Sequence, residues 1–128
     1  MKNQVVAHYA DGRILKGWAV DFFPNKPSFH LEKEGAGETL DVQVGELKGV
    51  FFVKTFEGNR TRHERKDMER PGMGKRIQVK FKDGEVLIGY TSGYSPDRIG
   101  FFVFPSDPES NNEKIFVVTA ATSNVSFS

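Results

Sequence analysis

The chain has 128 residues, 38% of them apolar and 27% charged, with a net charge of +1 and no cysteine. The near-neutral balance gives no bulk attraction to nucleic acid or membrane, and the missing Cys excludes disulfides, thiolate catalysis and cysteine-ligated zinc. Thirteen Gly, six Pro and twelve Phe without helical heptads favour an all-β chain with many turns.

At the amino end, residues 1–5 lack the apolar region of a signal peptide, and no apolar run approaches the ~20 residues of a membrane span, so a cytoplasmic protein without membrane contact is expected. Residues 5–9 alternate as a strand and run into Asp11-Gly12, which predicts a tight hairpin turn of the primed type. Residues 14–22 form a long second strand, whose Gly17 removes a side chain where the strand bends or another backbone comes close. Pro24 and Pro27 end regular pairing. Residues 29–32, 38–44 and 50–54 are the third, fourth and fifth strands, with one helical turn over Gly45-Glu46-Leu47-Lys48.

The same plan returns 72 positions later. Asp11-Gly12-x-x-Leu15-x-Gly17 recurs as Asp83-Gly84-x-x-Leu87-x-Gly89, Trp18 aligns with Tyr90, Phe22 with Tyr94 and Phe29 with Phe101. After a loop three residues longer, Leu40-Asp41-Val42 aligns with Ile115-Phe116-Val117, and Val50-Phe51-Phe52 with Val125-Ser126-Phe127. Order and spacing together read as an internal duplication. The expected architecture is therefore two tandem five-stranded small barrels, residues 1–55 and 75–128, joined by a charged connector over 56–74. The loop 106–112, rich in Ser, Asp and Asn, reads as a surface excursion. Phe51-Phe52 and Phe101-Phe102 are adjacent pairs, so one ring of each must leave its own barrel, and contact between the two repeats is its expected home.

From Lys54 to Arg76 the charge is +4, against −1 before and −2 after. Thr61-Arg62-His63-Glu64 has capping-box form and Pro71-Gly72 is a stop, which predicts a short helix over 62–70 with Met68 as its only apolar residue. Arg60, Arg62, Arg65, Lys66 and Arg70 are the candidate phosphate contacts of this segment, joined by His63 at low pH. The histidines His8, His30 and His63 stand in unrelated settings, the first two as outward polar positions on strands. No nucleophile motif, phosphate loop or metal spacing is present, so neither an enzyme nor a cofactor is expected.

With these residues in place, each repeat resembles an SH3-like barrel, and the first resembles the Sm-like variety. The likeness rests on residues 5–13 leading to Leu15-x-Gly17 and on the triplet Leu47-Lys48-Gly49, which is Thr122-Ser123-Asn124 in the second repeat. In Sm-like proteins the loops at these motifs bind uridine-rich RNA, which implicates Asn25, Lys48 and Gly49. The whole chain also resembles uncharacterised bacterial proteins that carry this duplicated module and a stretch like Gly100 to Asn112. Cyclic di-GMP receptors of the PilZ type need an Arg-x-x-x-Arg pair, approached here by Arg62-x-x-x-Lys66 and Lys66-x-x-x-Arg70. The leading expectation is a non-enzymatic, regulatory protein-interaction module. Nucleic-acid or nucleotide binding through the connector and the Lys48 edge is the alternative.

Overall fold

A computed structural model describes residues 3–35, 37–57 and 69–127. Among the described residues, ten antiparallel strands form one sheet, with two single-turn 3-10 helices. The first half contributes β1 (Asn3–Tyr9), β2 (Ile14–Ala19), β3 (Ser28–Lys33), β4 (Thr39–Gln43) and β5 (Leu47–Val53). The second contributes β6 (Lys75–Phe81), β7 (Val86–Thr91), β8 (Gly100–Pro105), β9 (Asn112–Val118) and β10 (Thr122–Phe127). The strand order is β10-β6-β7-β8-β9-β5-β1-β2-β3-β4.

Each half has the same internal order, and the ladders agree residue for residue. Val5 opposes Gly17 and Phe52 in the first half, as Ile77 opposes Gly89 and Phe127 in the second. Phe29 opposes Val42, as Phe101 opposes Val117. Hydrogen bonding nevertheless differs from two barrels each closed on itself. β5 pairs with β1 of its own half on one edge and with β9 on the other, placing Val50 opposite Phe116 and Phe51 opposite Ile115, while β4 and β10 are the edges of one open sheet.

That junction solves the problem of two small cores. Neighbouring strand residues face opposite ways, so β5 and β9 each serve both cores. Val50, Phe52, Phe116 and Val118 join Val5, Phe29, Leu31 and Leu47 in the first core. Ile115 and Val117 join Ile77, Val79, Phe81 and Phe101 in the second, against which Phe51 packs from the other half. Phe102 makes the reciprocal move and packs on the first core. The outward ring of each Phe pair thus lies between the halves, as the alternation predicts.

The hairpin turns depart from the primed type. A primed type I turn needs positive φ at both central residues, yet among the described residues no non-glycine residue has positive φ, while Gly12 and Gly84 lie at 98° and 96°. Gly12 N–H donates to the Tyr9 carbonyl and Tyr9 N–H to the Arg13 carbonyl, which makes a three-residue loop with glycine in the left-handed position. Asp11 and Asp83 brace their turns by accepting from the backbone N–H two residues on.

The loop 106–112 exposes its tip, Pro108 and Glu109, but the rest of it is anchored in the structure. Ser106, Asp107 and Ser110 are buried. Asn111 accepts at Oδ1 from the Thr55 N–H and hydroxyl at 3.1 Å each, and its Nδ2 donates to the Thr55 carbonyl at 3.0 Å. The polar residues clamp the chain as it leaves β5. The predicted helix over 62–70 falls mostly outside the described residues; Glu69 and Arg70, which are described, are not helical. Among the described residues, no helix is long and apolar enough to cross a membrane.

Candidate binding cleft

Where β5 meets β9, the loops flanking the two halves do not meet, and a cleft of about 710 Å³ opens between them. Its floor is formed by Phe102, Phe104 and Phe116 on β8 and β9. Pro24 and Asn25 of the β2–β3 loop form one wall, and residues 97–99 of the β7–β8 loop form the other. The floor rings are fixed from beneath. Phe102 lies 5.2 Å from Phe116 and 5.9 Å from Phe52 between ring centres, and Phe22 stands edge-on to Phe116 at 5.1 Å.

Charge enters from two sides. The Lys114 ammonium stands 4.7 Å from the centre of the Phe102 ring and 5.0 Å from that of Phe52, within cation–π range. Arg98 is exposed on the opposite wall, beside the single carboxylate of the cleft, Asp97. Two large apolar side chains are exposed here, Ile99 in the wall at 38% and Phe23, next to Pro24, at 51%. The arrangement can hold an apolar group over the rings and an anion at the rim. Among the described residues, no group of His, Asp and Glu could hold a metal ion.

Of the residues singled out by sequence, Asn25 lines this cleft. Lys48 lies elsewhere and is already engaged. Its Nζ bonds Asp83 at 2.8 Å, contacts Glu85, and stands 4.7 Å from the Phe81 ring, with the side chain only 11% exposed. Burial works against its charge, but the hydrogen bonds it donates to Asp83 and Glu85 outweigh burial and hold its pKa above the usual lysine value. Lys48 therefore ties β5 to the β6–β7 turn of the other half. Gly49 is a packing position, since an added Cβ would sit 2.9 Å from the Phe116 carbonyl oxygen. Arg70 donates from Nη1 to the Pro105 carbonyl at 2.9 Å. Arg60, Arg62, Arg65, Lys66 and His63 lie outside the described residues.

The chain matches a family of unknown function, DUF6982, over residues 1–127. It belongs to that family. No curated protein and no solved structure matches it. In this DUF6982 chain the sequence did carry a signal for the cleft. His30, Glu32 and Asp41 of the first half align with Phe102, Phe104 and Phe116 of the second, three polar residues against three rings. Those rings are the floor.

The two described histidines also separate. His30 is exposed, and Asp21 accepts from its backbone N–H at 2.6 Å and lies 2.7 Å from its Nδ1, which raises the imidazole pKa. His8 is half-buried with its ring 4.2 Å from Phe51; burial first and the Lys48 charge second lower its pKa. Neither lines the cleft.

Proposed function

We propose that this protein is a non-enzymatic binding module, a duplicated pair of SH3-like or Sm-like barrels, whose working surface is the cleft between the halves. Its ligand is a short segment of a partner protein that presents an apolar side chain beside a carboxylate. One observation carries this reading: a cleft of about 710 Å³ whose aromatic floor comes from the second half, whose walls come from a loop of each half, and whose rim holds two cations against one carboxylate. The rings are held rigidly by their neighbours, so little ordering cost attends binding. The carboxylate of the ligand meets Lys114 and Arg98, and its apolar group covers Phe102 and Ile99. A cytoplasmic regulatory role fits a module of this kind.

Selection from a random peptide library tests the proposal. Enriched peptides are expected to place Asp or Glu within two residues of an aromatic or branched apolar residue. Lys114→Glu should weaken their binding at least about tenfold, equivalent to ~1.4 kcal/mol. Enrichment of basic peptides, or none, would remove this reading. The same protein screened against RNA, DNA and cyclic dinucleotides at two salt concentrations examines the nucleic-acid alternative, which requires affinity that falls steeply with salt.

A further inference from the structure

The sheet contains one junction between halves and two edges that are its unpaired counterparts. At the junction a fifth strand, β5, pairs with a fourth strand, β9. The edges are the other fifth strand, β10, and the other fourth strand, β4, and among the described residues each has a hydrogen-bonded neighbour on one side only. We propose that β10 of one molecule pairs with β4 of a second copy, head to tail, repeating the β5–β9 junction between chains. The inference is independent of the cleft.

The exposure of one residue carries it furthest. Phe52 on β5 and Phe127 on β10 occupy the same position, opposite Val5 and Ile77 respectively. Each meets the same neighbour in its own half: Phe22 lies 5.5 Å from Phe52, and Tyr94 lies 5.6 Å from Phe127. Yet Phe52 is 4% exposed and Phe127 is 47% exposed. The difference is the covering strands, since Phe52 is closed over by Phe102 and Lys114 of the β8–β9 pair. Phe127 has the local setting of a junction residue without the junction.

The edges permit such pairing. An open edge is a template for another strand unless charge, proline or irregularity blunts it. β10 reads Thr-Ser-Asn-Val-Ser-Phe, with no charge and no proline, and its bulge lies between Thr122 and Asn124, so residues 124–127 keep regular register. β4 carries one charge, Asp41. Transferring the β5–β9 register sets Asn124 opposite Val42, Val125 opposite Asp41, Ser126 opposite Leu40 and Phe127 opposite Thr39.

The contact between chains is weaker than the one within. His30 and Asp41 stand where Phe102 and Phe116 seal the junction, and Ser123 stands where Lys48 reaches its carboxylates. Association is accordingly reversible and dependent on concentration. Because the two surfaces differ, it is heterologous and extends to rings or chains of copies rather than stopping at a symmetric dimer.

Sedimentation velocity over a concentration series reads this directly. The wild-type chain should grow beyond one copy as concentration rises. Phe127→Lys blocks only the β10 side and Thr39→Lys only the β4 side, so each should remain a single chain, with folding checked by circular dichroism. Ser126→Lys, at an exposed position, replaces the first variant should Phe127→Lys not fold. Mixed in equal amounts, the two variants should form a heterodimer that grows no further, since each keeps one competent edge. A wild-type chain that stays single at millimolar concentration overturns the proposal. So does a single variant that still dimerises alone, which would mark a symmetric contact, or a mixture that forms no heterodimer.

Discussion

Gly17 and Gly89 show how closely backbone passes backbone in this sheet. A Cβ built on either would lie 2.2 Å from a carbonyl oxygen of the next strand, Glu32 or Phe104. No side-chain rotation relieves a contact with main chain, so the strands must separate locally. Gly17→Ala or Gly89→Ala should each cost about 1–3 kcal/mol, the usual range for overpacking, read as a lower denaturation midpoint in urea. Gly45, with open space around it, should tolerate Ala within about 0.5 kcal/mol. At His8 the sign concerns pH. Its folded pKa lies below the ordinary 6.5, so the unfolded chain binds the proton more readily. The contribution is complete above pH 6.5 and is lost as pH falls from there through the lowered folded value. Urea midpoints across that window should decline less in His8→Gln than in the wild-type chain. His30, with its pKa raised by Asp21, acts oppositely: its contribution is present below pH 6.5 and fades as pH rises through the raised value. An equal decline in wild type and His8→Gln would remove His8 as the acid-sensitive group.

Among the elements, β5 is tied to the second half by its ladder with β9, by packing and by the charged side chain of Lys48. Lys48 is mostly buried, but Asp83 and Glu85 are 52% and 55% exposed, so water screens the pair. A double-mutant cycle with Lys48→Met and Asp83→Asn should give a coupling of about 0.5–1 kcal/mol that shrinks with salt. A coupling near zero would mean that the Asp83 contact adds nothing beyond what Glu85 and the Phe81 ring supply to Lys48. The strands themselves were legible because alternation and Asp-Gly turns are local signals. Less legible was which strand would close each half. β5 and β9 read as ordinary half-buried strands, and the rings at 102, 104 and 116 depart from the polar pattern of the first half, as do Ile88 against Lys16 and Val118 against Gln43. Lys48 read as an available cation for a related reason: its partners lie 35 and 37 positions away, in the other half, where no local pattern points. The polar run at 106–112 misled in part, because Ser, Asp and Asn serve a buried clamp as readily as a solvent loop.

For the whole molecule, sharing β5 and β9 between two cores sets how it unfolds. Were the halves independent, each would bury too little apolar surface to be secure alone, since small domains hide a smaller fraction of their area. Here Phe116 stands on a second-half strand yet lies in the first core, and Phe51 stands on a first-half strand yet packs on the second. Removing either ring therefore weakens the half to which its strand does not belong. Phe116→Ala should cost about 3–5 kcal/mol, with Phe51, partly exposed, costing less. Both should lower one common transition rather than split it, because neither half can lose its shared strand and keep its core. Coincident near-UV and far-UV melting curves in the wild type and both variants check this. Tyrosine signals from Tyr9 and Tyr94, one in each half, give separate local readings of the same event. Two transitions in the wild-type chain, or a first half that melts early in Phe116→Ala while the second stays folded, would mean that the cores are joined in space but not in stability.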